Sequence, residues 1–148
     1  MKRNMRLRSA NPADAAPIQA LLRESRLPTV GVRESIDGFV VAEEGTVLVG
    51  AIGVEGCGPQ FGLLRSAVVS ERWRGKGIGQ VLVERAIDDA RRRGMKALYL
   101  LTTTAEGYFP AFGFATTPRN AVPEPIRATA EFREACPDTA TVMTLSLA

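Results

Sequence analysis

Apolar residues recur along this chain with two distinct periods. Ile78, Leu82, Ala86 and Ala90 fall on every fourth position, backed by Val83 and Ile87, and Gly94 follows where a left-handed stop belongs. That spacing predicts a helix over residues 78–93. Ile18, Leu21 and Leu22 give a second amphipathic helix, capped by Asn11 or Asp14, with Pro12 or Pro17 in its first turn, and ending near Arg26. Period-two or continuous apolar runs predict strands over 5–9, 39–42, 46–54, 63–69, 97–101 and 139–147. The turn Glu43-Glu44-Gly45 makes a hairpin of the second and third, which leaves Glu43 and Glu44 on the surface. Residues 28–37 read as a loop or short helix, 56–62 as a glycine-rich loop, 105–112 as a short helix ending at Gly113, and 126–134 as helical. The order is β-α-β-β-β-α-β-α-α-β. No linker interrupts it, so the expectation is a single mixed α/β (α+β) domain over residues 1–148.

Composition narrows this only a little. At 45% hydrophobic and 24% charged, the 148 residues suit a folded domain with a real core. The net charge of +3 is too small to argue for nucleic acid or a membrane surface as partner. Of the basic clusters, Lys2, Arg3, Arg6 and Arg8 read as a solvated first strand, and Arg91 to Arg93 complement the dipole of a helix end. Only Arg72, Arg74 and Lys76 ask for a functional explanation. The N-terminus lacks the apolar run of a signal peptide, and no stretch approaches the ~20 apolar residues of a membrane span. Cys57 and Cys136 lack CxxC spacing and read as reduced thiols of a cytoplasmic protein. The chain has no histidine at all. Ser-His-Asp and Cys-His catalysis and His-ligated zinc are therefore excluded, and two distant cysteines do not make a thiolate zinc site, so no metal is expected.

The chemistry concentrates in LLRSAVVSERWRGKGIGQVLVERAIDDARRRG, from Leu63 to Gly94. A strand ends, Gly75, Gly77 and Gly79 follow at alternate positions, and a long helix opens. Glycines let the backbone approach a ligand, and the free N–H groups of the first helical turn point at it, so the segment is an anion site suited to a phosphate. Arg72, Arg74 and Lys76 add positive charge there. It is not a P-loop, which needs GxxxxGK[ST], nor a dinucleotide fingerprint, which needs GxGxxG.

What remains, Arg74-x-x-Gly77-x-Gly79, resembles the R/Q-x-x-G-x-G/A pyrophosphate loop of the GNAT superfamily of N-acetyltransferases. The element order and AFGF at 111–114 extend the resemblance over nearly the whole chain. It implies a mostly antiparallel sheet, flanked by helices and splayed between strands 4 and 5, with pantetheine of acetyl-CoA lying in the gap like an added strand. Ala67, Val68 and Val69 then face the acetyl and pantetheine groups. Gly75, Lys76, Gly77, Gly79 and Gln80 hold the pyrophosphate, and Arg74, Ile78, Thr102, Ala105 and Phe109 complete the cofactor set. The backbone N–H of Val68 is the implied oxyanion donor.

Thiolate is a good leaving group, with a conjugate acid near ~8.5, so a strong general acid helps without being indispensable. Relatives place a tyrosine in F-Y-x-x-x-G-F. Here that position holds Phe109, and Tyr108 falls one residue early. Either Tyr108 acts through a different rotation of its segment or no side-chain acid is used; the second reading is preferred. Glu55, ending the third strand, is the candidate base, set against an ordinary solvated carboxylate.

LPTVGV at 27–32, LLRSAVV, LLTTTAEGYF at 100–109 and VPEPIRATAEFREACP at 122–137 are similar to a narrower group. These are the small N-acetyltransferases associated with arsenic-resistance genes, akin to the acetyltransferase domain of N-acetylglutamate synthase. The resemblance implies a small amino acid or amino-acid-like acceptor, an organoarsenical such as arsinothricin included. Arg65, mid-strand, and Arg127 are the candidate carboxylate partners, with Thr103 beside them, while Arg65 suits an internal salt bridge equally well. The Arg-x-Ser feature of the synthase is replaced by Pro137 and Thr139. The alternatives are a non-catalytic acetyl-CoA sensor and a protein or peptide N-acetyltransferase. A homodimer through the C-terminal strands is expected from the resemblance alone.

Overall fold

The structure, a computed structural model, describes residues 5–135 and 139–147. Lys2, Arg3, Cys136 and Pro137 of the sequence reading lie outside the described residues.

Seven strands form one sheet in the order β1-β2-β3-β4-β5-β7-β6. They are β1 (Met5–Ser9), β2 (Phe39–Glu44), β3 (Val47–Cys57), β4 (Phe61–Val69), β5 (Ala97–Thr102), β6 (Ala115–Thr116) and β7 (Thr141–Ser146). Every pairing is antiparallel except β4 with β5. Helix α1 (Ala15–Glu24) covers one face of the sheet, α2 (Ile78–Arg92) the other, and the single turn α3 (Glu124–Arg127) packs near β4 on the face of α1. Because both faces are covered, the strands carry continuous apolar runs, and successive residues serve opposite cores. Val40 and Ala42 join the cluster under α2, whereas Phe39 and Val41 join the one under α1.

Most sequence boundaries hold to within a few residues, and the departures have local causes. The glycine-rich stretch 56–62 is not a loop: Cys57 pairs with Phe61 around a tight turn, so β3 and β4 are both longer than their apolar cores. The 105–112 segment winds only a 3-10 turn at Phe109–Phe112, with Pro110 in its first turn and Gly113 closing it at φ 101°. The helix expected over 126–134 is split into α3 and a π-turn, Glu131–Ala135. Strand β6, two residues long, carries no periodic signal and was not anticipated.

The first strand is not merely solvated. Arg8 grips both oxygens of Asp14 at 2.8 and 2.9 Å and reaches Glu43 at 3.0 Å. Glu43 is therefore a buried residue of β2 and not a surface turn residue. Arg8 and the Asn11 backbone hold the Asp14 carboxyl below its ordinary range, against burial, and Arg8 does the same for Glu43. Depressed carboxyls contribute stability above their unfolded values and lose it on acidification through the folded ones. Arg8→Leu is accordingly expected to flatten the loss of thermal stability below about pH 4, where Asp14 takes up its proton. In the main core, Leu82 of α2 is 1% exposed. Leu82→Ala should cost about 2–5 kcal/mol in urea unfolding.

Candidate active site

Strands β4 and β5 pair only at Phe61 with Ala97, Gly62 with Leu98 and Leu63 with Tyr99. Beyond Leu63 the two strands diverge, and the remaining length of β4 faces an opening. In the same stretch β4 bulges: Ser66 and Ala67 together oppose the single residue Ile52 of β3, and Ser66 takes φ 60°. A serine in that region carries backbone strain of about 1–3 kcal/mol, and a bulge leaves backbone polar groups unpaired toward the gap. The splay expected between strands 4 and 5 is present.

Two cavities meet at this opening, sharing Ala67, Ala105 and Tyr108. The larger, about 590 Å³, runs between β4 and the start of α2. Of the residues expected to hold the acyl donor, Ala67, Val68, Val69, Arg74, Gly75, Gly77, Ile78, Gly79, Gln80 and Ala105 line it. Lys76 is exposed and lies outside the lining, while Thr102 and Phe109 face the second cavity. Ala51, Trp73, Leu82 and Val83 complete the wall without any signal of it in the sequence, since helix periodicity marks the last two simply as core. Helix α2 starts without a side-chain cap, its N-cap Gly77 at φ 85°. Its first-turn N–H groups and positive dipole end are thus left for an anion. Arg74 is steadied by the Val69 carbonyl at 3.0 Å and the Ser25 hydroxyl at 2.8 Å.

Coenzyme A fits this lining. The uncapped helix start and Arg74 suit its diphosphate, and the apolar walls of Val69, Leu82 and Val83 suit its pantetheine arm. The slot is narrow: a Cβ on Gly79 would stand 3.4 Å from the Tyr108 hydroxyl. Tyr108, although one residue out of the expected register, therefore brings its hydroxyl to the junction of the two cavities. Phe109 turns into the core. Burial, then Glu84, push the Tyr108 phenol above its ordinary value, so it is protonated at neutral pH.

The second cavity, about 250 Å³, is walled by Leu27, Pro28, Leu64, Leu100 and Phe109, and by Arg65 and Glu131. The Arg65 side chain is wholly buried. It donates to Glu55 Oε1 at 3.2 Å, to Ser66 Oγ at 3.1 Å and to the Val30 carbonyl, and its Nε lies 3.5 Å from Glu131 Oε1. Gly31 makes room for the guanidinium: a Cβ there would meet Arg65 Nη1 at 2.7 Å, and its φ of 82° suits glycine. Burial pushes the Glu131 carboxyl up to about 7, with Glu55 adding to the rise and Arg65 opposing it.

The other acceptor candidates fall elsewhere. Glu55 stands behind Arg65 and lines a separate recess with Glu34, Asp37 and Arg93. Arg127 pairs with Glu124 on the surface of α3 and lines neither cavity. Thr103 is exposed, whereas its neighbours Thr102 and Thr104 reach the second cavity. Glu131, the further charged residue of this wall, carries nothing in its local sequence that distinguishes it from a surface helix residue.

The model of the acetyltransferase (GNAT) family matches residues 7–116. The chain belongs to the acetyltransferase (GNAT) family. It is accordingly an acetyl-CoA-dependent N-acetyltransferase. An uncharacterised N-acetyltransferase of Chlorobaculum tepidum is 26% identical over 149 residues, covering 94% of this chain and 96% of its own. Among solved structures, a Mycobacterium tuberculosis protein in complex with CoA superposes with a TM-score of 0.80 at 23% identity, over 97% of this chain and 99% of that one. N-acetylglutamate synthase of Neisseria gonorrhoeae, complexed with coenzyme A and L-arginine, gives a TM-score of 0.81 at 23% identity over 98% of this chain. This chain spans about a third of the synthase, 34% of its length. Among the described residues no cluster of three or more His, Cys, Asp or Glu side chains could hold a metal ion. No described helix is long and apolar enough to cross a membrane.

Two outcomes follow from this geometry. Gly77→Val forces a branched side chain into a left-handed position at the helix start, and calorimetry should show CoA affinity reduced at least about tenfold. Glu131 holds its proton up to about 7 when folded but releases it near 4.5 when unfolded. The native state thus binds the extra proton in that window, and the group's contribution to stability falls as pH rises through it. Glu131→Gln should remove that slope from melting curves taken between pH 4.5 and 7.

Proposed function

We propose that the enzyme transfers the acetyl group of acetyl-CoA to the amine of a small amino acid or amino-acid-like acceptor bound in the second cavity. The observation that carries this reading is the Arg65–Glu131 pair, a guanidinium and a carboxyl group 3.5 Å apart in an otherwise largely apolar wall. An α-amino acid carries its ammonium and carboxylate on one carbon and matches such a pair group for group. The Arg65–Glu131 contact is the longest that the guanidinium makes, so it is the one a substrate carboxylate opens, while Glu55, Ser66 and Val30 keep Arg65 in place. The cavity volume, about 250 Å³, lies below the range usual for drug-sized ligands and supports a small acceptor. An organoarsenical amino acid falls within this class, in line with the similarity of residues 27–32 and 122–137.

In this reading the acceptor nitrogen approaches the thioester at Ala67, where the cavities join. Ser70 N–H donates to the Val49 carbonyl and the Val69 carbonyl accepts from Arg74, so along β4 the N–H of Val68 is turned to β3 and that of Val69 into the gap. Val69, and not Val68 as the resemblance implied, is the donor that steadies the tetrahedral oxyanion, and the preorganised strand makes it effective because it needs no rearrangement. Tyr108, protonated and at the junction, supplies the proton that the departing thiolate takes. Binding both reactants across one opening removes much of the entropic barrier to a direct attack in a ternary complex. The buried, unionised thiol of Cys57, pushed up to about 12 chiefly by desolvation, suits an enzyme of the cytoplasm. By family resemblance, a homodimer through the C-terminal strands belongs to the same reading.

Thiol release from acetyl-CoA, measured across amino acids and their decarboxylated counterparts, tests the acceptor class. A charge-assisted carboxylate contact worth about 1.5–3 kcal/mol predicts a preference of about 10- to 100-fold in kcat/KM for the amino acids. Arg65→Lys, which keeps the charge but loses the planar fork, should erase most of that preference. Equal rates for both series would remove the carboxylate from the reading.

A further inference from the structure

An amine must lose a proton before it attacks, and this chain has no histidine to take it. The second cavity, the acceptor side in the reading above, offers three titratable side chains in its wall: Arg65, Tyr108 and Glu131. Arg65 is a permanent cation with no acceptor atom, and Tyr108 holds its own proton. Glu55 does not line this cavity and stands on the other side of the guanidinium. We infer that Glu131 is the general base of the acetyl transfer, and that its place beside Arg65 in the wall of the second cavity sets its carboxylate next to the ammonium of an acceptor held by Arg65.

The assignment rests on geometry first. Glu131 is 5% exposed, reaches into the cavity from the π-turn, and sits beside the group assigned to the substrate carboxylate. A zwitterion anchored on Arg65 therefore places its nitrogen next to Glu131. The charged and titratable groups facing Glu131 are Arg65 of β4, Glu55 of β3 behind it, and Tyr108 across the cavity. One guanidinium between two carboxylates neutralises one of them fully, and the more deeply buried Glu131 bears the deficit. Its ionisation near 7 then serves the chemistry, because a base titrating close to the working pH is both available and strong enough.

The step balances simply. One N–H bond of the ammonium breaks as a Glu131 O–H bond forms, and the freed nitrogen lone pair adds to the thioester carbon. The C–S bond then breaks with its electron pair going to sulfur. The second nitrogen proton passes to the thiolate through Tyr108, and Glu131 releases its proton to solvent. One acetamide, one thiol and one proton result.

The test is thiol release by the full-length enzyme with saturating acetyl-CoA, followed from pH 5.5 to 9 with any amine it turns over. Wild-type kcat should rise through an inflection near 7. Glu131→Gln, nearly isosteric, should lower kcat at pH 7 by about 100-fold or more and abolish that inflection, with CoA affinity unchanged. Hydroxylamine, already neutral at pH 7, needs no base, so the deficit of the variant should shrink markedly with it. Glu131→Asp keeps a carboxylate and should retain a pH inflection at reduced kcat; it serves as the second variant if the glutamine form is unstable. A glutamine variant with wild-type kcat and pH profile, or an equal deficit with hydroxylamine, would make Glu131 a structural partner of Arg65 and overturn the assignment. An acceptor panel showing no carboxylate preference would remove the role of Arg65 in substrate binding and leave this result standing, so the two failures are distinguishable.

Discussion

A guanidinium buried to the last atom in the middle of a strand is the constraint around which the wall of the second cavity is organised. Arg65 cannot shed its charge, and a buried cation left unpaired costs several kcal/mol, so the surrounding chain must supply partners. It does so from three directions. Glu55 comes from the neighbouring strand, the Val30 carbonyl from the loop after α1, and Glu131 from the turn after α3. Elements distant in sequence are thereby tied to one point of β4. Gly31 is part of the same arrangement, since a side chain there would collide with the guanidinium.

That point lies immediately before the bulge at Ser66 and Ala67, where β4 parts from β5. The ion cluster and the splay are therefore adjacent features of one strand. Past the bulge, β4 faces the cofactor cavity; before it, the strand presents Arg65 to the second cavity. The strain carried by Ser66 is held in place by the packing of both sheet faces and by its hydroxyl contact with Arg65. One short segment, Arg65 to Val69, thus lines both cavities.

The two halves of the site differ in how they are built. The donor half is mainly backbone: an uncapped helix start, glycines and a strand edge. Such a lining suits the phosphate and amide groups that every acetyl-CoA presents. The second cavity is walled by side chains, largely apolar, with one ionic cluster in which two carboxyl groups share a single guanidinium. In the proposed reading its selectivity comes from which of those charges a substrate can replace, which is a matter of desolvation and pairing rather than of shape alone.

Sequence and fold divide along the same line. Local sequence alone determined the strand-loop-helix unit from Leu63 to Gly94 with its anion site and the hairpin of the second and third strands, while the chemical class of the donor came from the likeness of Arg74-x-x-Gly77-x-Gly79 to a known pyrophosphate loop. The unit and the hairpin depend on interactions within a few residues, such as helical spacing, glycine freedom and unsatisfied N–H groups. The pattern of apolar residues missed the two-residue β6 and the π-turn, which are held by tertiary contacts and have no period to read. It placed Glu43 on the surface and Arg8 in solvent because a charge that finds a distant partner looks no different in sequence from one that does not. Only the folded chain decided that Arg127 and Thr103 stand away from the cavities, that Tyr108 reaches the junction from one register early, and that Glu55 backs Arg65 while Glu131 lines the second cavity. Those outcomes depend on charges brought together across the sheet and stripped of water, and desolvation is a property of the packed molecule, not of any segment of it.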